Sequence, residues 1–87
     1  MPRSLTQHSL ACLTRQGAEN LAGRMQQGRA ARAERVLVNM LEGKLFAEFR
    51  AESREALEAW LGAEGMHFDW IVRIEWESKD GKLESAT

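Results

Sequence analysis

Arg35-Val36-Leu37-Val38-Asn39-Met40-Leu41-Glu42-Gly43-Lys44-Leu45-Phe46-Ala47-Glu48-Phe49-Arg50 carries the decisive pattern of this chain. Side chains alternate across a strand, so Val36, Val38 and Met40 share one face of the first half while Leu45, Ala47 and Phe49 share one face of the second. Glu42-Gly43 supplies the reversal between them, because glycine takes a positive φ without steric cost. The segment therefore reads as a β-hairpin, with strands at 35–41 and 44–50.

Working outward, Leu5 to Leu13 alternates with neither face fully polar, the mark of an inner strand. Ala18, Leu21, Ala22 and Met25 then recur at helical spacing, predicting a helix from about Gly17 to Ala33 in which Gly23 and Gly28 are weak points. On the far side of the hairpin, Ser53 is an N-cap residue for a second helix running to about Ala63, with Ala56, Leu57, Trp60 and Leu61 as its apolar stripe. His67 to Glu77 alternates again. Phe68, Trp70, Val72, Ile74 and Trp76 make its apolar side, and Ile71 falls with the polar residues. Ser78 to Thr87 has little to bury beyond the Asp80-Gly81 turn and reads as a frayed tail.

The order strand, helix, strand, strand, helix, strand predicts an α+β fold: a ferredoxin-like βαββαβ sandwich, with a four-stranded antiparallel sheet in the order 4-1-3-2 and two helices on one face. The whole chain, 1–87, forms one domain with an ordered core at about 5–77. Eighty-seven residues close a single hydrophobic core,. The helices are expected to cover Val36, Val38, Met40, Leu45, Ala47, Phe49 and the Phe68–Trp76 series, so that Trp70 is a core residue. The opposite face would then display Leu37, Leu41, Phe46 and Ile71 among Asn39, Lys44, Glu48, Arg73 and Glu75. Such a surface is too apolar to face water alone and marks an interaction site. Its simplest cover is a second copy of itself, which makes Leu37, Phe46, Glu48, Ile71 and Arg73 the expected interface or ligand-binding residues of a homodimer. A small-molecule ligand would fit the cleft between sheet and partner.

The chain carries one cysteine, 12 Lys and Arg against 13 Asp and Glu, and a net charge of −1. A lone cysteine excludes an internal disulfide and suits a reducing compartment. Nothing near the N-terminus reads as a signal peptide, and no run approaches the length of a membrane span, so the expected location is the cytoplasm. The near-neutral balance argues against nucleic acid, which demands a basic excess. Charge is nonetheless uneven. Residues 1–35 hold six arginines against Glu19 and Glu34, a balance of +4, and residues 36–87 balance to −5. This describes either a basic helix bearing Arg15, Arg24, Arg29 and Arg32 toward an anionic partner, or solvated faces of opposite sign in one body.

In the expected strand order the end of the first strand faces the beginning of the last. That juxtaposition groups Cys12, His67 and Asp69, a thiolate, an imidazole and a carboxylate suited to a divalent transition metal such as nickel or zinc. The plainer reading makes Cys12 a small buried hydrophobe and His67 a loop residue. A cofactor-free enzyme would use His67 and Asp69 as its acid and base. RNA binding is disfavoured because Phe46 is followed two positions on by Glu48 rather than by a second aromatic on the sheet.

Gly43-Lys44-Leu45-Phe46, with Ala51, Ser53, Glu55-Ala56-Leu57 and Ile71-Val72-Arg73-Ile74-Glu75, resembles a group of small nickel-binding ferredoxin-like proteins among the dimeric α/β-barrel proteins. The resemblance spans roughly residues 5–77 and rests on common residue types. It implies a homodimer joined sheet to sheet and metal binding. The wider group includes isomerases and monooxygenases acting on small organic substrates, but no motif carries either activity onto this chain. The expectation is therefore a non-enzymatic homodimeric binding or interaction module.

Overall fold

A computed structural model describes residues 1–11 and 13–86. The elements are β1 (Arg3–Ser9), α1 (Arg15–Gln26), β2 (Ala31–Asn39), β3 (Lys44–Ala51), α2 (Arg54–Ala63), β4 (Trp70–Ile74), β5 (Trp76–Lys79) and β6 (Lys82–Ser85). β1 to β4 form an antiparallel sheet in the order β2-β3-β1-β4, and β5 and β6 form a separate two-stranded sheet. The architecture thus differs from the expected ferredoxin-like βαββαβ sandwich: the described residues form six strands in two sheets, and the expected last strand is divided at Glu75. Residues expected to fray are ordered as a hairpin. Asp80 and Gly81 both take positive φ, 51° and 79°, the pairing required by a tight turn whose twist matches its strands,.

Local chemistry sets the element ends. Thr14 Oγ1 accepts from the Gly17 amide at 3.1 Å and Ser53 Oγ accepts from the Ala56 amide at 3.1 Å, so each helix begins at a capping side chain,. α1 ends at Gln26, earlier than expected, and Ala31 to Arg35 belongs to β2. The reason lies at Gly28. A Cβ there would sit 2.0 Å from the Ala31 carbonyl oxygen and 2.7 Å from the Trp60 ring, so only glycine lets the chain turn against α2 at this corner.

The core lies between the sheet and the helices. Leu45, Ala47 and Phe49 of β3 are buried against Met25, Leu57 and Leu61, and Phe49 meets Trp60 edge-on at 5.7 Å between ring centroids. β2 keeps the expected phase over 36–38, with Val36 packed against the core, although Val38 and Met40 are exposed at the sheet edge. A bulge between Ala33 and Arg35 lets Ala31 and Ala33 share the inner face with Val36 despite the odd spacing,.

β4 departs from expectation. Ile71 is the buried residue of this strand, 4% exposed, while Val72 is 53% exposed. Trp70 pairs with Gln7 and Val72 with Leu5, on the face away from the helices, and Ile71 pairs with buried Thr6. Trp70 is therefore not a core residue. The inversion follows from the residues that precede the strand. Met66 and Phe68 pack into the core as loop residues, and the chain bends at Asp69. Asp69 and Trp70 then both engage the outer side, Asp69 through the side chains of Gln7 and Ser9. Alternation slips by one residue at that bend, and the side chains of β4 change face,.

The two glycines of α1 and its corner give a paired test by urea unfolding. Gly28→Ala should destabilise the protein by about 1–3 kcal/mol, because the clash is with backbone. Gly23→Ala, inside α1 with nothing within 4 Å of the new methyl, should stabilise it by up to about 1 kcal/mol,.

Candidate functional site

The sheet face opposite the helices has three zones. At its centre Phe46 of β3, Gln7 of β1 and Trp70 of β4 lie side by side in register, with the Phe46 and Trp70 ring centroids 6.2 Å apart. Leu37 pairs with Phe46, and Leu5 lies between Glu48 and Val72. Leu37 is 48% exposed and Phe46 and Trp70 are half-buried, so this centre is open and apolar.

At one end, Arg3 is the hub of an ion network. Its Nη1 donates to Glu77 of β5 at 2.9 Å, its Nη2 lies 3.7 Å from Glu48, and its Nε lies 3.9 Å from Glu34. The Nε–H is buried and unbonded, since 3.9 Å is too long for a hydrogen bond,. Glu34 also holds Arg50 at 2.7 Å, and Glu48 lies 3.5 Å from Arg35. Contact with Glu77 raises the Arg3 guanidinium above its ordinary pKa, so it stays charged throughout.

At the other end, Asp69 accepts from Gln7 Nε2 at 2.9 Å and from Ser9 Oγ at 3.0 and 3.2 Å, with Lys44 Nζ 3.8 Å away. The bonds from Gln7 and Ser9, followed by Lys44, hold its carboxyl below the usual range. A carboxylate so occupied is a poor base for abstracting a proton.

Of the expected interface residues, Leu37, Phe46 and Glu48 share this face. Ile71 is in the core, and exposed Arg73 pairs with Ser4, in phase with the inner side. Trp70, Val72 and Leu5 take the places expected of Ile71 and Arg73. Only the slip at Asp69 reveals that exchange. Of the expected metal set, Cys12 lies outside the described residues. His67 is exposed, and among the described residues no three His, Cys, Asp or Glu side chains converge as a metal site. Asp69 does not suit a divalent cation, because its oxygens are engaged and an ammonium stands beside it,.

Behind this face lies a group to which the sequence reading gave no role. His8, 2% exposed, points from β1 into the core. Its ring nitrogens lie 2.7 Å from the His67 carbonyl and 2.8 Å from Thr6 Oγ1. A carbonyl only accepts, so Nδ1 carries the proton and donates to His67. Nε2 then accepts from the Thr6 hydroxyl. The bond ties the centre of the sheet to the loop that sets the phase of β4.

Burial pushes the pKa of His8 below its ordinary 6.5, against smaller upward pulls from the His67 carbonyl and Asp69. On acidification the unfolded chain takes up this proton first, so its contribution to stability is full above pH 6.5 and is lost as pH falls through the lowered folded value,. Urea midpoints should therefore decline below pH 6.5, and His8→Gln should flatten that part of the curve. An unchanged slope in the variant assigns the decline to other groups.

Among the described residues no helix is long and apolar enough to cross a membrane. No family model, curated protein or solved structure matches this chain.

Proposed function

We propose that this protein is a self-associating interaction module whose outer sheet face meets the same face of a second copy. The observation that carries the reading is the zoning of that face: an open apolar centre of Leu5, Leu37, Phe46, Trp70 and Val72 between two polar networks. An apolar middle with a hydrogen-bonding rim is the anatomy of a specific interface, and a monomer gains nothing from leaving such a patch in water. Each network contains both signs of charge, so the face can oppose itself without net repulsion,.

A nucleic-acid reading has one observation in its favour, the neighbouring Phe46 and Trp70 rings on a sheet,. Charge decides against it. Arg3, Arg35 and Lys44, the cations nearest the rings, each have a carboxylate within 4 Å, which leaves little positive potential beside the rings for a strand of phosphates,.

Sedimentation equilibrium should find a dimer at micromolar concentration. Leu37→Arg combined with Val72→Arg should raise the dimer Kd by about 100-fold or more, since charges would be buried in the apolar centre. Both positions are exposed in the single chain, so the variant's circular dichroism should match the parent's. A wild-type monomer at these concentrations removes the proposal.

A further inference from the structure

The basic N-terminal part of the chain separates, on folding, into arginines that are neutralised and arginines that are not. Arg3 is surrounded by Glu34, Glu48 and Glu77; Arg15 pairs with Glu19, Arg24 with Glu64, and Arg35 with Glu48. Arg29 and Arg32 have no hydrogen bond or ion pair with any side chain among the described residues. Both line one open cleft of about 730 Å³ at the corner between α1 and β2, together with Gly28, Glu34 and Arg50.

Two structural features make this corner more than a chance gathering of surface charge. Arg32 lies directly opposite Arg50 on the neighbouring strand. Like charges in that position repel each other at close range, and Glu34, 2.7 Å from Arg50, is the carboxylate among the described residues that lines the same cleft,. The cleft therefore holds three guanidiniums against one carboxylate, an excess of two positive charges. The partial negative charge at the C-terminal end of α1, about half an elementary charge, offsets only part of it. The backbone here also has a specific shape. Gly28 admits no side chain, and the bulge beginning at Ala33 shifts β2 so that Glu34 reaches Arg50 and Arg3 while the alanines stay inside. Bulges re-aim side chains in this way beside binding sites.

We propose that this corner binds a small dianionic molecule, a phosphoryl or dicarboxylate compound, held by Arg29, Arg32 and Arg50. Guanidinium forks match both kinds of anion through paired hydrogen bonds. The volume falls within the range of small-ligand clefts, and the chain's net charge of −1 favours a compact anion over a nucleic-acid strand,. The ligand relieves the repulsion between Arg32 and Arg50 and so binds at a site already strained toward it. The site lies at the β2 edge of the sheet, shares Arg50 and Glu34 with the ion network that rims the outer face, and is complete within one chain.

Isothermal titration of the full chain at low ionic strength, with pyrophosphate in one arm and succinate in the other, tests this. Saturable binding in either arm supports the proposal and identifies the anion. Arg29→Ala and Arg32→Ala should each weaken that binding by about tenfold, the effect of losing one charge-assisted contact. Arg15→Ala, whose guanidinium pairs within α1, should leave it unchanged. Arg29 and Arg32 are exposed, and matching circular dichroism will show that their variants fold. No saturable binding of either anion overturns the proposal, as does undiminished binding in the Arg29→Ala/Arg32→Ala double variant. Tighter binding of a short oligonucleotide than of pyrophosphate overturns the small-molecule assignment.

Discussion

The placement of β4 depends on a buried imidazole that must satisfy both of its nitrogens. His8 sits in the middle of the sheet with no access to water, and an unpaired polar atom there would cost the full loss of its hydration,. Its partners come from two directions: Thr6 on its own strand and the His67 carbonyl on the loop after α2. The second bond holds that loop against β1, where the Asp69 amide also donates to the Gln7 carbonyl at 2.7 Å. With the loop held, β4 enters with Ile71 inward and Trp70 outward. A polar contact inside the core thus determines what the opposite face displays.

That face is organised by β1 and β3, the two strands paired on both sides. Their outward residues mix apolar and polar side chains along the strand, Arg3, Leu5 and Gln7 beside Phe46, Glu48 and Arg50, and the cross-strand register gathers them into zones. Ions collect at the Arg3 end, rings in the middle, and hydrogen-bonded polar groups around Asp69. The terminal hairpin contributes Glu77 to the first zone and carries Trp76, 58% exposed, beside the body of the protein. Two short strands alone are marginally stable in water. The bond from the Ala86 amide to the Glu75 carbonyl extends the hairpin's own ladder, and the Arg3–Glu77 bond ties it to the sheet.

Charge follows the same logic at longer range. The acidic surplus of residues 36–87 supplies partners for arginines of the first 35, which is how Arg3, Arg24 and Arg35 are neutralised. The opposed halves seen in the sequence are therefore largely internal pairing. What remains is local: Arg29 and Arg32, beyond the end of α1, which no acidic side chain among the described residues pairs.

Much of the secondary structure was legible from the residues. The hairpin around Glu42-Gly43 and α2 behind Ser53 are specified by neighbours in sequence, through alternation, a turn glycine and a capping hydroxyl. Leu37, Phe46 and Glu48 were legible on the outer face for the same reason. The face of β4 was not, because strict alternation from Phe68 to Trp76 states a period and contains no origin; the bend at Asp69 and the pairing with β1 supply it. Nor could composition foresee the second sheet, since a tight turn at Asp80-Gly81, a salt bridge from Glu77 to Arg3 and the burial of Ala86 order a segment with little else to bury. Local sequence decided where strands and helices form. Tertiary structure decided which side of each strand meets water and which charges go unpaired, because both depend on register, and register is set by contacts between residues far apart in the chain.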